Sequence, residues 1–196
     1  MAKLDSSLKN MLLSLSLISF VASAVLAVSF SLTKEPILKA QLKKQQDAIQ
    51  EVLPIKDAEI GKEVEIKLDG KPDAFIIYPA QKGDELVGAA VKTYSYDGYA
   101  GKIEVMVGLD KEGTISNYTV LAASETPGLG SKINDWFKTS KGSQDIRGKN
   151  PTKDNFIVKK DGGDFDAITA STISSRAFLS SVKSAFDAFK KYQEQK

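Results

Sequence analysis

The stretch Asp164–Phe178, DFDAITASTISSRAF, decides how this chain is read. It follows an irregular Gly162-Gly163 segment, and from Phe178 onward apolar residues recur at three- and four-residue intervals through Val182, Ala185, Phe186 and Phe189. That period belongs to an amphipathic helix packing one face on a core. Its start is crowded with hydroxyls, Thr169, Ser171, Thr172, Ser174 and Ser175, with Asp166 just upstream. Such residues are favoured at any helix N-terminus, because their oxygens accept from backbone N–H groups that lack intrahelical partners. The same N–H groups and the positive end of the helix dipole also favour a phosphate. Residue types alone leave both roles open.

Upstream of this helix the chain reads as sheet. Glu63–Leu68 alternates as EVEIKL, Phe75–Tyr78 is a short apolar run and Glu85–Tyr94 begins a longer one. Asp69-Gly70, Pro72, Pro79 and Gly83-Asp84 supply turns between them. Ile103, Val105 and Val107 alternate with polar or larger neighbours, Lys111-Glu112-Gly113 turns, and Ile115, Tyr118, Val120 and Leu121 return, which is the pattern of a β-hairpin. The second strand runs into Ser124-Glu125-Thr126-Pro127-Gly128-Leu129-Gly130, where glycines permit close approach of backbone to a ligand, and then into a helical segment with Ile133, Trp136 and Phe137. Taken alone, this loop is a turn before a helix. A further short strand is expected at Phe156–Lys159. Phe178, Val182, Ala185, Phe186 and Phe189 are expected to pack on the sheet as core.

Between Lys9 and Lys34 there is no charged residue, and the run NMLLSLSLISFVASAVLAVSFSLT is long enough for a bilayer-crossing helix. Ala22-Ser23-Ala24 would pass as a signal-peptide cleavage site, but the apolar run continues to Phe30, which favours a retained anchor. Lys3 and Lys9 precede the span while Lys34, Lys39, Lys43 and Lys44 follow it, so charge bias does not set the orientation. The very short N-terminal tail argues for a signal anchor with an exported C-terminal domain. Residues 34–54, with Pro36 near the start and Pro54 beyond the end, read as a polar helix whose stripe of Ile37, Leu38, Leu42, Ile49 and Val52 suits a spacer. The expected organisation is a tail over 1–9, a transmembrane anchor over 10–33, a helical linker over 34–54 and a globular domain over 55–196.

A net charge of +2 over 196 residues, with no basic patch interleaved with aromatics, argues against a nucleic-acid partner. Cysteine and histidine are both absent. That excludes disulfides, thiolate-held clusters, histidine-ligated haem, the usual zinc sites and Cys/His nucleophilic catalysis. No carboxylate spacing typical of a metal site is seen. Any redox chemistry must come from an organic cofactor.

Asp166, Thr169, Ala170, Ser171, Thr172 and Ser174 together resemble the Asp-x-x-Ser/Thr-Gly-Ala-Thr-x-Ser/Thr signature of FMN-binding domains that carry flavin covalently. Ala170 stands where glycine is common in that signature, and Ser171 where alanine is common. Glu125 to Gly130 matches the same family's Glu-Thr-Pro-Gly-Leu-Gly motif residue for residue, and Gly98-Tyr99-Ala100-Gly101 is similar to its Gly-Tyr-x-Gly entry to the hairpin. The resemblance implies an α+β fold, with a single transmembrane helix leading to a mixed or antiparallel sheet and a C-terminal helix. It also implies FMN esterified through its phosphate to Thr172 by a flavin transferase that recognises Asp166 with its metal, Ser171 being a rival hydroxyl. The cofactor-contacting set it implies is Glu125, Thr126, Gly128, Leu129, Gly130, Thr169, Ala170 and Ser171, with no catalytic residue and no resident metal. Within the family the chain resembles the G subunits of Rnf ion-translocating electron transport complexes. The related C subunits of Na⁺-translocating NADH:quinone reductases share the motifs but are usually longer. This likeness implies an electron-relaying subunit of an oxidoreductase that couples ferredoxin-to-NAD⁺ electron flow to Na⁺ or H⁺ movement, partnered by the other membrane and peripheral subunits and the lipid bilayer. Its place would be the bacterial inner membrane, single-pass, with the FMN domain on the periplasmic side. A stand-alone anchored flavoprotein and an anchored non-redox binding module are the other classes.

Overall fold

A computed structural model describes residues 7–53, 58–83 and 85–195. Residues 1–6 of the expected tail, Pro54, the expected start of the domain at 55 and Asp84 of the expected Gly83-Asp84 turn lie outside the described residues.

The first element, α1 (Leu8–Val52), is one helix of 45 residues that runs through Pro36 rather than starting afresh there. Its apolar part has a mean hydropathy of 2.4 over an 18-residue window, and it is long and apolar enough to cross a membrane. The hydroxyls of Ser23, Ser31 and Thr33 are satisfied within the helix. Ser23 Oγ donates to the Ser19 carbonyl at 2.7 Å and Thr33 Oγ1 to the Ser29 carbonyl at 2.8 Å, so they add no unpaired polar group to an apolar setting.

Residues from Lys44 onward form a compact domain. Its strands are β1 (Glu59–Ile60), β2 (Val64–Ile66), β3 (Phe75–Lys82), β4 (Glu85–Gly98), β5 (Gly101–Asp110) and β6 (Ile115–Ala123). They build one six-stranded antiparallel sheet in the order β1-β3-β4-β5-β6, with β2 also pairing β3 beside β1. Period-2 alternation assigns the two faces. Phe75, Ile77, Val91, Val105 and Val107 face the helix α2 (Thr172–Glu194) and share its core. Tyr78, Ala80, Ala90 and Met106 face the other way and are covered by Ala48, Ile49, Val52 and Leu53 at the end of α1. The glycine at 108 permits that cover, because a Cβ there would lie 2.0 Å from the Val52 carbonyl oxygen. Of the apolar stripe expected on the linker helix, Ile49 and Val52 are buried in this way while Ile37, Leu38 and Leu42 are exposed.

The β5–β6 hairpin turns where the sequence predicts, with Asp110 Oδ1 accepting from the N–H groups of Glu112 and Thr114. Phe178, Val182, Ala185 and Phe189 on α2 are fully buried and Phe186 is 8% exposed, so the aromatic face is core, as the helical spacing predicts. Tyr118 of β6 packs its ring on Phe178 and donates its hydroxyl to the Ile133 carbonyl at 2.7 Å, pinning the segment after β6 to the core. The helical segment expected around Ile133 is present as two short 3-10 turns, Gly130–Asn134 and Trp136–Lys138. Two expectations are corrected here. Pro79, expected at a turn, lies inside β3 opposite Ala89. The strand expected at Phe156–Lys159 is a single parallel bridge between Val158 and Phe165, since the chain leaves the extended conformation at Lys159 for the 3-10 turn Lys159–Asp161.

Candidate functional site

Three loops converge on the first turn of α2. The β4–β5 connection is a two-residue turn, Tyr99-Ala100, between the paired Gly98 and Gly101. The segment after β6 folds back on itself through the Thr126 carbonyl, which accepts from the N–H groups of Leu129 at 3.1 Å and Ser131 at 3.2 Å. The third loop, Ile168–Ser171, closes as a turn with the Ser171 N–H donating to the Ile168 carbonyl at 2.9 Å.

Glu125 joins these pieces. It is 6% exposed. Its Oε2 accepts from the buried Ser174 hydroxyl at 2.6 Å, and its Oε1 accepts from the Ala100 N–H at 3.2 Å. One carboxylate therefore fixes the β4–β5 turn and its own loop to α2. A side chain at residue 130 would break this arrangement, because a Cβ there would lie 2.5 Å from Glu125 Oε2 and 2.6 Å from Ser174 Oγ. That close approach accounts for the second glycine of the Gly-Leu-Gly run.

The turn leading into α2 carries the chain's one non-glycine residue at positive φ among the described residues, Ala170 at φ +62°. It is the third residue of the Ile168–Ser171 turn, a position that a type II turn reserves for glycine. The alanine departing from the family signature thus occupies a conformation costing about 1–2 kcal/mol for a residue with a Cβ. Ser175, fully buried, holds the turn from below: its hydroxyl accepts from the Ile168 N–H at 3.0 Å and donates to the Ser171 carbonyl at 2.9 Å.

The result is a cavity of about 530 Å³ lined by Tyr99, Glu125, Thr126, Leu129 and Gly130 on one side and Ala170 to Ser174 on the other. Thr172 is the first residue of α2 and half-buried, and its hydroxyl makes no hydrogen bond among the described residues. The N–H groups of Thr172, Ile173 and Ser174 have no acceptor among the described residues either, and no acidic residue stands in the first turn. Arg176, one turn on, is committed to Asp161 through a two-pronged ion pair at 2.6 and 2.7 Å. An anion at this end of the helix is therefore met by backbone N–H groups and the dipole.

Of the residues singled out in the sequence, Glu125, Thr126, Leu129, Gly130, Ala170, Ser171 and Thr172 line this one cavity. Gly128 and Thr169 are exposed and off its wall. Asp166 stands apart: its Oδ1 pairs with Lys159 at 2.9 Å and its Oδ2 accepts from the Ser143 N–H at 2.7 Å. The Lys159 ammonium first, and then the Ser143 N–H, hold its carboxyl below the ordinary value of 3.8. Tyr99, Ile173 and Ser174 belong to the lining without having been singled out as contacts. Tyr99 sits in a motif read as the entry to the hairpin, and Ser174 in a hydroxyl cluster that suits caps as well as a phosphate.

Residues 98–187 match the FMN-binding domain family, a span that contains every residue lining the cavity. Over 199 aligned residues the chain is 32% identical to the G subunit of an ion-translocating oxidoreductase complex of Aliivibrio fischeri, covering 97% of this chain and 94% of that protein. The chain belongs to this G-subunit family. The counterpart in Vibrio cholerae is 33% identical, with 92% and 90% of the two chains covered, and the one in Yersinia pestis is 35% identical, with 88% and 86% covered. For a family member with an FMN-binding domain the cavity has a suitable form. Its volume falls within the roughly 300–1,000 Å³ of small-molecule sites. One end offers N–H groups and a hydroxyl to a phosphate, and Tyr99, Leu129 and Ile173 offer apolar surface to a ring.

Proposed function

We propose that this protein carries FMN joined by a phosphoester bond to Thr172 and serves as a one-cofactor electron relay in an Rnf-type complex. The observation that supports it is the meeting of the Thr172 hydroxyl, the unpaired N–H groups of α2 and the Glu125–Gly130 loop on one cavity. FMN, when bound, supplies the electron chemistry. The chain's own residues bind and orient. The N–H groups of Thr172 to Ser174 hold the phosphate, Thr172 Oγ1 forms the ester, and the Glu125–Ser174 link keeps the two walls in register. Thr126, Leu129, Gly130, Ala170 and Ser171 complete the contacts, while Gly128 and Thr169 shape the two loops from outside the cavity wall. Attachment requires a flavin nucleotide activated as a phosphoric anhydride and handled by a flavin transferase. The Thr172 oxygen would take the flavin phosphoryl group, its proton would pass to a base of the transferase, and the anhydride partner would leave. Asp166 is the recognition point for that transferase and its metal.

Thr172 is favoured over Ser171 by exposure. Ser171 is 8% exposed, whereas Thr172 is half-buried on the cavity wall with its hydroxyl unengaged. The apolar part of α1 is proposed as a single inner-membrane anchor, followed by a helical linker and an FMN domain on the periplasmic side. The other subunits of the complex would bring electrons between ferredoxin and NAD⁺ and move Na⁺ or H⁺. A tether serves such a relay, because a linked cofactor cannot be lost to dilution.

The test is flavin fluorescence on denatured protein, matured in a host with the transferase, comparing wild type with Thr172→Ala and Ser171→Ala. The expected result is signal in wild type and Ser171→Ala and none in Thr172→Ala, with intact mass showing the addition of one FMN less water in the first two. Retained signal in Thr172→Ala would place the ester elsewhere.

A further inference from the structure

Resting on the reading that FMN is held at Thr172, we propose that Tyr99 covers the flavin ring, its phenol lying against one face while Leu129 and Ile173 supply the remaining apolar wall. Among the described residues of the domain, the large apolar side chains left exposed are Ile60, Tyr96, Tyr99, Leu129, Ile157 and Ile173. Half of them, Tyr99, Leu129 and Ile173, line the same cavity although they come from three separate segments. Exposed apolar residues scattered singly are ordinary, but their convergence on one concave site marks a wall for an apolar ligand.

Tyr99 is the most exposed of these at 69%, and it makes no hydrogen bond among the described residues. Its backbone is nevertheless fixed. Gly98 and Gly101 pair across the turn, and the Ala100 N–H is held by Glu125, which also holds Ser174 two residues beyond Thr172. The phenol and the attachment hydroxyl are thus mounted on one hydrogen-bonded frame. A flat ring displayed from a fixed turn loses little freedom when it meets another ring, and offset stacking adds to the gain from burial.

The experiment uses the full-length chain in detergent, matured with flavin transferase, as wild type, Tyr99→Ala and Tyr99→Phe. Three quantities are read: flavin fluorescence after denaturation, the ratio of native to denatured emission, and quenching of the native emission by iodide. A phenol in contact quenches an excited flavin, so weak native emission is expected of the wild type. Tyr99→Ala is expected to raise the native-to-denatured ratio and the iodide quenching constant each about threefold, because the ring loses its cover. Tyr99→Phe is expected to raise emission while leaving iodide quenching at the wild-type value, since a phenyl ring shields but does not quench. Equal denatured fluorescence with unchanged native emission and iodide quenching in Tyr99→Ala overturns the assignment, as does Tyr99→Phe behaving like Tyr99→Ala toward iodide. A bare chain in all three samples instead removes the attachment reading, and this one with it.

Discussion

Replacing Glu125 by alanine isolates what the buried carboxylate contributes to the frame of the site. Two hydrogen bonds disappear, one from Ser174 at 2.6 Å and one from Ala100 at 3.2 Å. Bonds to a charged acceptor are worth about 1.5–3 kcal/mol each. Ala100 is exposed, so its N–H turns to water at little cost. Ser174 is 2% exposed, and its hydroxyl is left without the carboxylate. Against this loss stands the relief of no longer holding a carboxylate in a 6% exposed position. The net expectation is a destabilisation of about 2 kcal/mol, or about 4–8 °C in the unfolding midpoint for a domain of this size. Glu125→Gln, which keeps the shape and one acceptor, should lose less than about 1 kcal/mol. The assay is unfolding of the flavin-free full chain in detergent, followed by emission of Trp136, the only tryptophan, whose indole N–H donates to the Asp166 carbonyl beside the site. Ser174→Ala closes a double-mutant cycle, with an expected coupling of about 1–3 kcal/mol. A Glu125→Ala midpoint equal to wild type, or strictly additive single mutants, would refute the argument that this pair ties the loops to α2.

The turn into α2 and the neighbouring Asp166 each give a further expected outcome. Ala170→Gly removes a left-handed strain of about 1–2 kcal/mol but adds about 0.5–1 kcal/mol of unfolded-chain freedom, so a stabilisation of about 0.5 kcal/mol is expected in denaturant unfolding, with Ala170→Val moving the midpoint the other way. Asp166, whose folded pKa is depressed, contributes stability that is present above its ordinary value of 3.8 and is lost as pH falls through the folded value. Asp166→Asn should therefore be less stable than wild type at neutral pH and lose stability less steeply with acid, the two curves converging at low pH in a pH series of unfolding midpoints.

Much of the fold is legible in the sequence because it rests on period. The alternation of Val105 and Val107 around Met106 and the spacing of Phe178, Val182, Ala185 and Phe189 each report which side of an element is buried, and the structure buries them so. The Phe156–Lys159 segment misleads because a short apolar run has no period to test, and whether it pairs depends on where the chain leaves the extended conformation. The last turns of α1 are readable as a stripe but not as the cover of a sheet face, since that depends on the absent side chain at Gly108, far along the chain. At the site, motif spacing locates both loops but not the direction of their side chains. Glu125, expected as a polar contact, spends both oxygens inside the protein. Tyr99 is visible only as part of the entry to the β5–β6 hairpin, because solvent exposure at a cavity rim leaves no mark in sequence.

One face of the sheet is packed by α2 and part of the other by Ala48 to Leu53, both from within the same domain. On the proposed reading, a redox neighbour that approached the loop ends would meet the cavity directly. Since tunnelling decays steeply with distance, electrons exchanged with a cofactor held there would cross a few loop atoms rather than the thickness of a packed core.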